Sequence, residues 1–398
     1  MQVWFEFLAA VPPGPRECEA VSMQNAEPVK KRVSRKLISI AIAVIVLAVA
    51  LLSCSLINPQ EESVKICAII PLSGPYAYMA EIKDNLQMAI DKINKWSGLN
   101  NRPIELIVAD CESDPAVAVE LFNELEDDHH PLAYIAVTST IYIALAPLAD
   151  EAEVVLMGLA VAVPDVTVGH DWCFRYYTTT EIETACIVNM IEDTLSTKVG
   201  LIYTDDAYGA SFAGDIENIA TSCGCTIMSE AVTFSDTDFS EEVGNLSLCD
   251  VIVAFGVRTS LINMLTEIDD SGYDGYVMAG SGASAPSVRE LPVADGVYVA
   301  APLVYKESNV LASRYVSDFE TTYGYSPSHM GITGYDGMML IWGLMADSEL
   351  TRENLRSNLH SGYAFSGVLG SMKVPLGDHE INFPLFPAVI DGGDLWFL

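Results

Sequence analysis

Positive charge is scarce in this chain: 20 Lys and Arg stand against 54 Asp and Glu in 398 residues, a formal net charge of −34. Binding to a phosphate backbone rests on clustered Lys and Arg, so no nucleic-acid partner is expected. The acidic excess keeps an exposed protein soluble and apart from its copies. Catalytic signatures are missing too: there is no Gly-x-Ser-x-Gly elbow, no phosphate loop ending in Gly-Lys-Ser/Thr and no His-Glu-x-x-His. "GSGASA" (280–285) meets the loose dinucleotide pattern, but it comes late in the chain and Pro286 breaks the helix start. "EDDHH" (126–130) packs metal-ligand types together, yet adjacent helical residues point in different directions. "DTDFSEE" (236–242) lacks the glycine and ligand spacing of a calcium loop. No cofactor and no metal are expected, and no enzymatic activity.

Cysteine is present in odd number. Beyond Cys54 stand Cys67, Cys111, Cys173, Cys186, Cys223, Cys225 and Cys249, which leaves at least one thiol unpaired within the chain. Cys67 and Cys111 sit on neighbouring predicted strands and form the first candidate pair; Cys-Gly-Cys at 223–225 has neither redox nor zinc spacing.

One long apolar run does exist. "KKRVSRK" (30–36) precedes "LISIAIAVIVLAVALL" (37–52), and "SCS" follows. Sixteen apolar residues lie between a signal-peptide core and a short membrane helix. The basic flank predicts that everything after it is exported. "LLSC" resembles the bacterial lipobox, so Cys54 carries a lipid or the run stays as an uncleaved anchor. Both alternatives give an extracytoplasmic protein tethered to the outer face of the membrane. Residues 1–63 form this N-terminal extension, with Met23 a plausible start.

From Val64 onward, short apolar runs alternate with amphipathic segments. "VKICAII", "PIELIVAD", "LAYIAV" and "VVLM" read as buried strands. Between them, Leu86, Ala89, Ile90 and Ile93 fall at helical spacing, and Asp114–Pro115 begins a second helix. The rhythm resets near "WCFRYYTTTEIE" (172–183) and repeats through "KVGLIYTD", "CDVIVAFG" and "DGYVMAGSG". Long helices follow over 309–323 and about 328–346. Strands apolar throughout, each followed by a helix, predict parallel sheets covered on both faces. The fold class is α/β with two closely joined lobes.

Ligands of such folds bind outside the carboxyl ends of strands. "PLSGPYAYM", "VTSTIY", "YTDDAYG", "AFGVRTS" and "AGSGAS" occupy such ends. Tyr76, Tyr78 and Tyr208 lie just past strand ends, where an aromatic face and a hydroxyl meet a solute. Asp205 and Asp206 read as a helix cap.

"IIPLSGPYAYMAEIKDNLQMAIDKIN", "IELIVADCESDPAVAVELFNEL", "VGLIYTDDAYGAS", "FSDTDFSEEV" and "YGYSPSHMGITGYDGMML", in this order, resemble the type I solute-binding proteins of the branched-chain amino acid (leucine/isoleucine/valine-binding) family, which serve ABC importers. The resemblance implies two doubly wound parallel-sheet lobes joined by a three-crossing hinge near 179, 301 and 367. Lobe 1 would hold 64–178 with 302–366, and lobe 2 would hold 179–301 with 367–398. It implies a small-molecule ligand and ABC permease subunits as partners; the rival reading is a sensor that signals through a partner protein.

For the site, the resemblance matches Ser139 to the Ser or Thr that holds a ligand carboxylate, and Tyr208 to a site tyrosine. Four positions depart from the pattern: Ala162 replaces a hydroxyl residue, Met79 a tyrosine, Ser281 the acid that meets the ligand ammonium, and Val257 a polar or aromatic residue. Ser73, Tyr76, Tyr78, Thr138, Thr140, Ala160, Arg258 and Gly282 complete the expected ligand contacts. A buried cation without a counter-charge costs several kcal/mol. The missing acid therefore argues against a standard α-amino acid unless another acid reaches in; the expected solute is amino-acid-like or a neutral or anionic relative, with Arg258 either its partner or a surface side chain.

Overall fold

The computed structural model describes residues 62–398, apart from positions 223, 257 and 307 and the side chains of 220–222. The apolar run at 37–52, Cys54, Cys223 and Val257 lie outside the described residues. Among the described residues, no helix is long and apolar enough to cross a membrane.

The first half of the fold runs through β1 (Val64–Ile70), α1 (Glu81–Lys95), β2 (Ile104–Asp110), α2 (Pro115–His129), β3 (Ala133–Val137), α3 (Ser139–Glu151), β4 (Val155–Leu159) and β5 (Cys173–Tyr176). Ile66, Ala68 and Ile70 of β1 pack with Ile82 and Leu86 of α1, while Cys67 and Ile69 pack with Phe122 and Ile141 on the opposite face. A strand that buries both faces must be apolar at every position, which is why "CAII" shows no alternation. Asp114 caps α2 by accepting the N–H of Ala116 at 2.7 Å.

The second half contains α4 (Thr180–Asp193), β6 (Lys198–Thr204), α5 (Ala207–Ser222), β7 (Thr226–Val232), α6 (Ser240–Leu246), β8 (Val251–Phe255), α7 (Arg258–Asp270), β9 (Tyr276–Ala279) and β10 (Tyr298–Pro302). Then come α8 (Val310–Tyr323), α9 (His329–Met345) and α10 (Arg352–His360), followed by β11 (Tyr363–Gly367), β12 (Gly370–Val374), β13 (Glu380–Ile381), β14 (Leu385–Asp391) and β15 (Asp394–Phe397).

One sheet has the order β13-β5-β4-β3-β1-β2 and is parallel throughout. The other has the order β15-β14-β10-β9-β8-β6-β7, parallel from β7 to β10 and closed by antiparallel β14 and β15.

Two expectations are corrected. The last passage between sheets does not lie near 367. The β11–β12 hairpin stays on the first half because buried Asp336 of α9, which accepts the hydroxyl of Tyr176 in β5 at 2.9 Å, also accepts the N–H groups of Val368 and Leu369 at 2.8 and 2.9 Å. β13 pairs with β5 beside the Arg175–Glu380 ion pair, so the passage falls between Ile381 and Leu385. Cys67 and Cys111 are both free thiols. Cys67 stands opposite Ile107, four residues before Cys111, and at about 3.3 Å per residue that separation is too long for a disulfide.

Candidate functional site

In each sheet the strand order reverses beside the first strand: between β1 and β3 in one, between β6 and β8 in the other. Loops leaving these carboxyl ends spread apart and open a crevice. The loops converge on a cavity of about 30 Å³ lined by Tyr76, Tyr78, Met79, Thr138, Ser139, Thr140, Ala160, Ala162, Tyr177, Asp206, Tyr208, Gly282 and Met330. A space of that size admits a water or two. A solute therefore enters only as the two halves part, the hinge closure available to this architecture.

The first half presents a helix N-terminus. α3 begins at Ser139, so its leading N–H groups have no partner within the helix and attract negative charge. Thr138, just before it, is held at φ 73°, and Ala160 in the adjacent loop at φ 52°. Positive φ is a strained conformation for a β-branched residue and costs of order 1–3 kcal/mol; such strain gathers at ligand sites. Thr138 is buried and its Oγ1 has no hydrogen-bond partner. Ser139 Oγ accepts the N–H of Ala162 at 3.1 Å and of Val163 at 3.4 Å, which leaves its own O–H to donate elsewhere.

The second half presents carboxylates. Asp206 Oδ1 accepts the Gly209 N–H at 2.7 Å, which caps α5, and Oδ2 accepts the Tyr76 hydroxyl at 2.7 Å across the crevice. The Tyr76 ring also meets Phe234 edge-on at 4.9 Å. Behind the wall, fully buried Glu183 accepts the Tyr208 hydroxyl at 2.9 Å and the Ser281 N–H. Burial pushes both carboxyls above the ordinary carboxylate range; the N–H groups of Gly209 and Ser281 and the hydroxyls of Tyr76 and Tyr208 pull in the other direction. Among the described residues, no Lys or Arg lines the cavity.

Ten of the expected contacts thus line one cavity: Tyr76, Tyr78, Met79, Thr138, Ser139, Thr140, Ala160, Ala162, Tyr208 and Gly282. Three described ones do not. Ser73 is exposed and donates to Asp110 at 2.8 Å. Ser281 is buried behind the wall on Glu183. Arg258 is exposed in a neighbouring groove with Glu81 and does not line this cavity. Sequence reasoning missed Tyr177, Met330, Asp206 and Glu183. Asp206 was legible as a cap, which it is, and its second role depends on a loop from the other half. Glu183 has no local signal at all.

Metal-ligand types come together at Asp150, His170 and Cys173, whose ligand atoms lie within 4.8 Å of one another. Asp150 already anchors the loop through His170 Nδ1 at 2.6 Å and the Trp172 N–H at 3.1 Å. Burial pushes the Cys173 thiol up to about 12, so it stays protonated.

A family model for periplasmic binding proteins matches residues 63–394. Among curated proteins, the chain is 24% identical over 335 residues to a Leu/Ile/Val-binding protein homolog 8 of Brucella abortus (strain 2308), covering 78% of this chain and 81% of that one. It is 23% identical over 254 residues to the chemotactic signal transduction system substrate-binding protein BasB of Halobacterium salinarum, covering 60% of each. Among solved structures, the leucine binding protein LivK of Thermotoga maritima superposes with a TM-score of 0.76 at 22% identity, covering 84% of this chain and 97% of that one.

Proposed function

The chain belongs to the periplasmic binding protein family, and from that premise we propose that it is the substrate-binding component of an ABC importer for a small amino-acid-like zwitterion. The family is extracytoplasmic and binds solutes without transforming them. One observation carries the choice of ligand: the cavity sets the N-terminus of α3 with Thr138 and Ser139 on one side and Asp206 on the other, with no cationic side chain among the described residues of its wall. The helix end suits a carboxylate. Asp206 supplies the counter-charge that Ser281 lacks, so an ammonium need not be buried unpaired. Of the solutes that the sequence left open, this favours the amino-acid-like one over a neutral or anionic relative.

Capture follows from the loops' origins. The solute first meets one half and then draws the other down, Tyr76 and Asp206 joining as the crevice shuts. The closed form is what a permease reads, and the segment at 37–52, or a lipid on Cys54, tethers the protein beside it. The test is uptake of labelled zwitterions by cells with and without the chain: loss of uptake on deletion supports the reading, and unchanged uptake of every solute contradicts it.

A second reading draws on the similarity to BasB: closure signals to a sensory partner. Deletion would then abolish attraction to the solute and spare its uptake.

A further inference from the structure

The cation end of the cavity has an unusual balance of rings and acceptors. Four tyrosines, Tyr76, Tyr78, Tyr177 and Tyr208, share its wall with Asp206. Three of the rings are braced by other rings: Tyr76 by Phe234 at 4.9 Å, Tyr177 by Phe383 at 5.4 Å and Tyr208 by Phe255 at 4.6 Å. Rings fixed in this way are held in place before a ligand arrives and cost little further ordering on binding. Met79 and Met330 fill the gaps between them with soft, polarizable surface.

The carboxylates beside these rings are already engaged. Each oxygen of Asp206 accepts a hydrogen bond, from Tyr76 and from Gly209. Each oxygen of Glu183 does too, from Tyr208 and from Ser281. They supply negative potential, and the hydrogen bonds that they already accept compete with any new N–H donor. A primary ammonium carries three N–H donors and needs acceptors for all of them once water is excluded. A fully methylated, quaternary ammonium needs none: it is held by charge and by ring faces, as in aromatic cages.

We propose that the ligand's cationic group is a methylated ammonium, so that the zwitterion is of the betaine class, its carboxylate at the N-terminus of α3 and its methyl groups among the four tyrosines. This rests on the reading of the cavity as a zwitterion site and narrows it. Tyr78 offers a sharp handle because its hydroxyl is buried without a partner. The ring contributes its face, and the hydroxyl contributes nothing to a methylated cation.

The test is calorimetric titration of the full chain with glycine betaine, N,N-dimethylglycine, glycine, leucine and benzoate. Glycine betaine is expected to bind at least tenfold more tightly than glycine, with dimethylglycine between them. Tyr78→Leu, which removes a ring face from the wall, should lower betaine affinity at least tenfold. Leucine or glycine binding as tightly as betaine, or betaine affinity undiminished in Tyr78→Leu, overturns the methylated cation and leaves the zwitterion reading standing. A response to benzoate alone, or to none of the five, overturns both.

Discussion

The Tyr76 hydroxyl lies 2.7 Å from Oδ2 of Asp206, joining the loop after β1 in one sheet to the loop after β6 in the other. Under the proposed function, this bond joins the two halves that part to admit a solute and links their closure to the charge offered to it.

Removing the hydroxyl should therefore loosen the closed form without unfolding either half. Tyr76 is half-buried, so the bond is worth about 1 kcal/mol rather than the full value of a charge-assisted pair. Tyr76→Phe should weaken ligand affinity about fivefold and raise the radius of gyration of the unliganded protein in small-angle scattering. An unchanged radius and affinity would show that the bond does not hold the halves.

Asp206 makes binding pH-dependent in a defined sense. Burial raises its pKa, so the proton comes off at higher pH than from an ordinary carboxylate. A cationic group prefers the charged form. Affinity should fall as pH drops through that raised value, with proton release on binding seen as a heat that varies with buffer ionisation enthalpy. Asp206→Asn should flatten the profile and weaken binding at neutral pH.

Thr138 sets strain against binding. At φ 73° and ψ 149° it occupies a region natural to glycine. Thr138→Gly should stabilise the fold by about 1 kcal/mol in urea denaturation. It should weaken the ligand about tenfold, because the unpartnered Oγ1 and the rigid entry to α3 are lost. A loss of stability would mean that the Thr138 side chain packs rather than strains.

How much of this was legible follows the range of each interaction. Strands β1 to β4, β6, β8 and β9, the caps of α2 and α5 and the tyrosines past β1 and β6 are written in contiguous residues, and the sequence reading places them; β5 and β7 it passes over. Glu183 reaches Ser281 across 98 residues and Asp206 reaches Tyr76 across 130. Nothing local in either acid's neighbourhood announces such a pairing. The return of β13 to the first sheet escapes for the same reason: a two-residue strand has no period, and what fixes it is the contact of Arg175 with Glu380.

His329, at the start of α9, gives a pH-dependence of stability. It is fully buried, and burial lowers its pKa from 6.5 to about 3. The unfolded chain binds this proton below about 6.5 while the native state refuses it until about 3. The stability of the native state therefore falls with decreasing pH across that window, by roughly 1.4 kcal/mol per unit. Asp336, raised to about 6 by burial, acts in the opposite direction between about 4 and 6. The difference between wild type and His329→Asn isolates the histidine: it should climb from pH 3 to 6.5 and stay level above. A level difference throughout would place a charged imidazole in the native state.

The most direct test of the account is thermal unfolding of the full chain and of Asp206→Asn against α-amino acids, betaines, aromatic carboxylates and polyols. A ligand that binds the native state alone adds about 2.7 kcal/mol at a hundredfold excess over its dissociation constant. The account predicts that zwitterions alone raise the melting temperature and that Asp206→Asn removes most of the gain. A gain confined to anions or polyols, or one that persists undiminished in Asp206→Asn, would contradict it.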